Sequence, residues 1–180
     1  MNIIMMHGLP GTGKSFVAQK IAERFSDAVI LKTVQFRHDI SSSSVDRFDE
    51  NNQKTRREKD DSYKLLCEAA RVALEKGKMP ILDGTFHKRY RREWVYQLGS
   101  EMNANVVVVS TTCEESVIFE RLLNREKQED TDAFLKSKEA YAIMKQQQDE
   151  LNDTGILIKR LDTTELNIDE FTTWLNLILS

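Results

Sequence analysis

The stretch NIIMMHGLPGTGKS, Asn2 to Ser15, constrains this chain more than any other. An apolar run of strand length stops at Gly8, and Gly8-Leu9-Pro10-Gly11-Thr12-Gly13-Lys14-Ser15 then satisfies G-x-x-x-x-G-K-[ST]. From Gly13 the pattern turns helical, with Phe16, Val17, Lys20, Ile21 and Phe25 at helical spacings. In this strand–loop–helix order, glycines let successive backbone N–H groups point into one concavity, and the helix end adds partial positive charge. A phosphate chain fits there. Lys14 would reach the β- and γ-phosphates of ATP, and the Ser15 hydroxyl would ligate Mg²⁺. Gly8, Pro10, Gly11, Thr12, Gly13 and Phe16 would complete the nucleotide cradle. His7, at the end of the strand, reads as packed or bonded to backbone rather than catalytic.

Four more short apolar runs follow: Ala28 to Leu31, Met79 to Leu82, Asn105 to Val109, and a strand opening at Gly155-Ile156. Helical patterns separate them. Tyr63, Leu66, Cys67, Ala70 and Leu74 form one stripe, which Gly77 can stop. Others run over Lys88 to Met102, over Glu114 to Asn124 with Leu122 and Leu123 inward, over Asp132 to Leu151, and through Ile168 to Leu179. Buried strands alternating with helices force parallel pairing through right-handed crossovers. The expected fold is α/β and doubly wound, a three-layer sandwich around a five-stranded parallel sheet.

The chain has 180 residues, of which 40% are apolar, enough for one core and too few for two ordinary domains. One domain, 1–180, is expected, with a mobile substrate-side segment at about 38–60 and a lid at about 121–135. Arg37 to Lys59, with four consecutive serines, reads as a mobile loop or the frayed start of a helix. A net charge of −3 gives no overall basic footprint for nucleic acid. No run is long enough to span a bilayer and no leader precedes the first strand, so the chain reads as cytoplasmic, with no membrane partner. Cys67 and Cys113 lack partners at metal spacing and read as buried, reduced thiols.

The loop alone does not choose between GTPase, ATPase and kinase. No N-K-x-D guanine-reading motif occurs, and no strand ends in Asp-Glu. The third strand ends instead in Pro80-Ile81-Leu82-Asp83-Gly84-Thr85-Phe86, with one carboxylate at the sheet edge where open α/β sheets bind ligands. Asp83 can hold the metal's water shell, take a proton from the acceptor, or merely cap the next helix.

These motifs, in this order, resemble the small P-loop kinases of the zeta-toxin-like or AAA_33 group, which includes gluconate kinase, adenylylsulfate kinase, chloramphenicol phosphotransferase and polynucleotide 5′-hydroxyl kinases. The resemblance implies an acceptor-side arginine at Arg37 after the second strand and a D-[AG]-T-[FN] element at Asp83 to Phe86. It further implies a substrate-side Arg92, an R-x-x-x-R lid at Arg121 and Arg125, and an adenine-side loop at Leu161 to Thr164 with Thr163. Thr85 would then contact the acceptor. One departure matters: the group's usual acidic residue, three before the arginine, is Val34 here. Asp39 or Asp83 would have to replace it.

Within His87 to Arg92 only about half of the cations can face one way; Lys88, Arg89 and Arg91 read as a solvated face. Arg121 and Arg125, one helical turn apart, either close on the transferred phosphoryl or pair with Glu114, Glu115 or Glu129. The expected activity is Mg²⁺-dependent transfer of the ATP γ-phosphoryl to a small hydroxyl- or phosphate-bearing acceptor. The alternatives are a polynucleotide 5′-hydroxyl kinase, drawing on Lys54 to Lys59 and the 87–92 cluster, or an ATP-binding regulatory module with little turnover. Nucleic acid is possible as a partner but not favoured.

Overall fold

The computed structural model describes residues 1–36, 48–126 and 138–179, with the backbone alone at 125–126 and 138–140. Five strands, β1 (Asn2–His7), β2 (Ala28–Lys32), β3 (Met79–Asp83), β4 (Asn105–Thr112) and β5 (Leu157–Asp162), form one sheet in the order β2-β3-β1-β4-β5. Every pairing is parallel. The helices are α1 (Lys14–Arg24), α2 (Gln53–Glu75), α3 (Arg89–Glu101), α4 (Glu115–Glu126), α5 (Lys138–Gln146) and α6 (Ile168–Leu179). A short 3-10 turn, Thr33–Phe36, follows β2. The doubly wound sandwich expected from the alternation is the fold observed.

Because successive strand residues point to opposite faces, β1 divides between two cores. Ile3 and Met5 join Tyr63, Leu66, Ala70 and Leu74 of α2 and Val95 and Leu98 of α3. Ile4 and Met6 join Val17, Ala18 and Ile21 of α1 and Phe171 and Leu175 of α6. All four β1 side chains are fully buried, and truncating a residue so placed costs about 2–5 kcal/mol. That cost keeps the run apolar up to His7. A third cluster packs Leu9 of the glycine loop and Phe48 against Ile118 and Leu122 of α4 and Tyr141 and Met144 of α5.

The structure departs from the sequence reading in detail. β2 is only half-buried because it is an edge strand. Residues 53–60 form the first turns of α2, whose start is fixed by Asn52: its side chain accepts from the N–H groups of Lys54 and Thr55 at 2.9 and 3.3 Å. The helix expected over 132–151 ends at Gln146, and β5 starts at Leu157 rather than Gly155. Leu123 and Phe16 point outward. Cys67 and Cys113 are half-buried, and burial pushes the Cys67 thiol up to about 12, which makes it inert.

Candidate active site

β1 lies between β3 and β4, so the chain leaves its carboxyl end at the point where neighbouring connections diverge, which is where open α/β sheets form their ligand crevice. The glycine loop fills its floor. Gly8 has φ of +138° and donates its N–H to Thr85 O at 3.2 Å; a Cβ at this position would lie 2.5 Å from Thr111 O. Thr12 Oγ1 donates to Leu9 O at 2.7 Å and lies 2.7 Å from Thr111 Oγ1, which ties the loop to β4. Gly13, with φ of +84°, is the N-cap of α1. It offers no side-chain cap, and no acidic residue occupies the first turn. A helix start built this way, with no side chain capping it, fits a phosphate chain.

Lys14 is buried and its Nζ donates to Leu9 O at 2.7 Å, arching back over the loop. Rotation of its flexible stem turns the same ammonium toward phosphates in the crevice. Ser15 and Phe16 are exposed. Among the described residues no group of three or more His, Cys, Asp and Glu side chains could hold a metal ion. Beside nucleotides Mg²⁺ usually keeps several waters and is held by phosphates and one or two protein oxygens, so it needs no such group.

Asp83, buried, ends β3 in register with Lys32 of β2. Its carbonyl accepts from Thr33 Oγ1 at 3.5 Å, so the 3-10 turn carrying Val34 leaves the sheet beside it. Val34 is 52% exposed. Two residues on, Thr85 is half-buried, with Tyr63 Oη and His87 Nδ1 each 3.0 Å from its hydroxyl.

The basic run at 87–92 is arranged otherwise than expected. Arg91, read as part of a solvated face, is fully buried, donating to both oxygens of Glu50 at 3.0 and 2.7 Å and to Asp60 at 2.9 Å. Arg92, expected on the substrate side, is fully buried too. It donates to Asp153 at 2.7 and 3.2 Å, to Phe86 O at 3.2 Å and to Glu150 O at 2.8 Å. A buried guanidinium must satisfy its donors within the protein, so Arg92 braces the 150–153 segment against the Asp83 loop instead of facing the crevice. Arg89 is the exposed member.

Glu50 gathers more partners: Lys59 Nζ at 3.0 Å and His87 Nε2 at 2.8 Å. Burial opposes its charge, but the contacts of His87 and Arg91 and the nearby Lys59 hold its carboxyl well below the usual carboxylate range. Burial also lowers the His87 pKa, with Lys59 and Arg91 adding to the effect and Glu50 opposing it. No residue pattern singled out Glu50, His87 or Asp153 individually. The one signal was the density of cations at 87–92 in an acidic chain, which required carboxylates from distant segments.

Among the described residues Arg121 pairs with neither Glu114 nor Glu115, and Glu129 lies outside them. Arg121 Nη1 donates to Thr163 Oγ1 at 2.9 Å and to Gly11 O at 3.4 Å, and its Nη2 to Thr163 O at 2.7 Å. Thr163 Oγ1 in turn donates to Thr12 O at 2.9 Å. Arg121 and Thr163 thus join the glycine loop to the loop after β5. Arg37, Asp39 and the side chain of Arg125 lie outside the described residues. His7 Nδ1 pairs with Ser110 Oγ at 2.9 Å, a side chain where backbone or packing was expected, and burial lowers its pKa to about 3.

An uncapped glycine loop at the central strand of a parallel sheet, with a buried lysine arched over it, defines a P-loop nucleotide-binding protein. A family model described as an AAA domain, AAA_33, matches residues 3–151, and the chain belongs to that family. Among solved structures it is similar to a kinase candidate from Chloroflexus aurantiacus J-10-fl (TM-score 0.73, 18% identity, 97% of this chain and 96% of that one). It is also similar to a sugar kinase from Janibacter sp. HTCC2649 (0.71, 16%, 98% and 95%). A third is the APS kinase of Mycobacterium tuberculosis in complex with AMPPNP and APS (0.64, 16%, 99% and 98%). These likenesses establish the fold. No curated protein matches the chain by sequence. Among the described residues no helix is long and apolar enough to cross a membrane.

Proposed function

We propose that this chain is a cytoplasmic kinase that moves the γ-phosphoryl of ATP, with Mg²⁺, to a small hydroxyl- or phosphate-bearing acceptor. The observation that carries the reading is the juxtaposition at the β1 and β3 edges: Gly8 N–H donates to Thr85 O, so the phosphate loop and the Asp83–Thr85 corner share one crevice wall. In this reading the loop's N–H groups and Lys14 hold the phosphates, and Thr163 and Arg121 fix the loop from the nucleotide side. Asp83 and Thr85 face the acceptor. Ser15 and Asp83 would hold a magnesium ion there, and when bound it would neutralise phosphate charge. Arg37, Arg125 and Asp39 keep their proposed roles at the acceptor, the lid and the proton-accepting position. The solved APS kinase with AMPPNP supports nucleotide binding on this fold.

The buried state of Lys59, Arg91 and Arg92 weakens the polynucleotide reading, since cations bound internally cannot meet a backbone of phosphates. One observation favours a module with little turnover: the exposed valine at position 34, where an acid would orient the acceptor. Calorimetry with ATP and Mg²⁺ tests the first step, and γ-labelled ATP with a panel of sugar acids, polyols and nucleosides tests the second. Binding by the native chain that Lys14→Ala abolishes, together with label transfer to one acceptor class, is the expected result. Unchanged affinity in Lys14→Ala would refute the reading, and binding without any transfer would favour the module.

A further inference from the structure

A file of hydrogen bonds runs from the buried core to the one partly open hydroxyl of the Asp83 corner. Phe86 N–H donates to Tyr63 Oη at 3.2 Å; Tyr63 Oη lies 3.0 Å from Thr85 Oγ1; and Thr85 Oγ1 lies 3.0 Å from His87 Nδ1. Beyond the file, His87 Nε2 lies 2.8 Å from Glu50 Oε1, an ion-pair contact without hydrogen-bond geometry. Chemistry fixes the direction. Glu50, ionised and gripped by Arg91 and Lys59, would repel an imidazole lone pair held 2.8 Å away, so the ring nitrogen facing it carries a proton. A neutral imidazole then has a lone pair on Nδ1, which accepts from Thr85. Having given its proton inward, Thr85 accepts from Tyr63, and the Tyr63 oxygen accepts from Phe86. Each link agrees with the next.

The file has one outlet. Tyr63 and His87 are 5% and 1% exposed, whereas Thr85 is half-buried. We propose that Glu50 and His87 are positioning residues that hold the Thr85 hydroxyl with its proton inward, so that it offers the crevice a lone pair and selects an acceptor whose hydroxyl donates. Resting on the kinase reading, this deepens it: a hydroxyl bonded to Thr85 has its proton drawn aside and an oxygen lone pair left for the γ-phosphorus. Here the sheet edge supplies the orientation that an acid at position 34 would otherwise give. The groups facing His87 are Glu50 from the segment before α2, Lys59 from α2, Arg91 from α3 and Thr85 from its own loop. The neutral ring is consistent with its lowered pKa.

Two measurements test this. Imidazole ¹⁵N spectra at pH 7, with His87 assigned by the signal lost in His87→Gln, are expected to show the proton on Nε2 and none on Nδ1. An imidazolium, or a proton on Nδ1, would overturn the proposal. Turnover of ATP, onto an acceptor from the panel or onto water, is expected to fall about tenfold in Thr85→Val, the scale of one hydrogen bond. ATP affinity by calorimetry should stay unchanged, and Thr85→Ser should restore most of the loss. Equal turnover in Thr85→Val and the native chain would overturn the assignment. Absence of ATP binding by the native chain would sink the kinase reading instead, and the ring spectrum would still decide the orientation of the file.

Discussion

Arg91 and Glu50 form a fork-to-fork ion pair, at 3.0 and 2.7 Å, in which neither side chain is more than 1% exposed. It joins the first turn of α3 to the segment that leads into α2. The pair lies behind the Asp83 corner through His87, so it sets the rear wall of the proposed acceptor site.

Removing either partner leaves the other charged and buried. Arg91→Met or Glu50→Leu alone should destabilise the fold by about 3–5 kcal/mol, and the two together should recover much of that loss. The exposed pair Arg89–Glu93, at 3.2 Å, provides the contrast: Arg89→Ala should shift stability by less than about 0.5 kcal/mol. Urea unfolding of the four variants decides. Equal costs at Arg89 and Arg91 would mean that burial does not control this cluster.

The same contrast explains what could be read beforehand. A P-loop announces itself because its chemistry is local: glycines, a lysine and a hydroxyl at fixed spacing between a strand and a helix. The strands are legible because burial on both faces leaves only apolar runs. Arg91 was not legible, because its partner is 41 positions away in a polar stretch and a cationic run looks alike whether water or carboxylates surround it. For Arg92 the resemblance gave a substrate-side place, and the difference came from Asp153, a residue with no local signal. Asp83 and Thr85 were legible as a sheet edge, but the Tyr63–His87 file behind them was not, since α2 brings one end of it from outside the motif.

Stability should fall as the pH drops below neutral, earlier than carboxylate titration alone would cause. His7 titrates near 6.5 when unfolded and near 3 when folded, chiefly because of burial and then the charges of Arg92 and Lys14. Between those values the unfolded chain binds a proton that the folded chain refuses. The His7 contribution is therefore complete above about 6.5 and is lost toward 3, with a slope of up to about 1.4 kcal/mol per pH unit. His87 acts in the same direction. Glu50, whose pKa is depressed from 4.5, adds a further loss below that value. Urea midpoints between pH 7 and pH 4.5 should show the decline, and His7→Gln should flatten it; an unchanged slope in the variant would assign it elsewhere.

Arg121 should act on nucleotide binding rather than on turnover alone. Its fork holds Thr163 by side chain and carbonyl and touches Gly11 O, so Arg121→Ala loosens the joint between the two loops that would hold ATP. ATP affinity should weaken about tenfold, on the scale of a lost charge-assisted hydrogen bond. Arg121→Lys should not recover it, because an ammonium lacks the planar fork. If turnover falls while calorimetric affinity holds, the arginine serves the transferred phosphoryl instead.

Val34→Asp separates a kinase from a module that only binds nucleotide. Position 34 is half-exposed in the turn beside Asp83 and belongs to no core cluster among the described residues, so stability should change by no more than about 0.5 kcal/mol. A carboxylate there would stand at the carboxyl edge of β2, next to the strand that ends at Asp83 and opens onto Thr85. If the Thr85 file already orients the acceptor, a second proton-directing group adds general-base assistance, and such groups contribute on the order of 10²-fold. Turnover with the acceptor found in the panel should therefore rise, with ATP affinity unchanged. A rise confined to ATP hydrolysis would mean that the new carboxylate activates water and that the acceptor pocket is not formed around it. No rise in either rate, with ATP still bound, would favour a nucleotide-binding module whose valine marks a site released from catalysis.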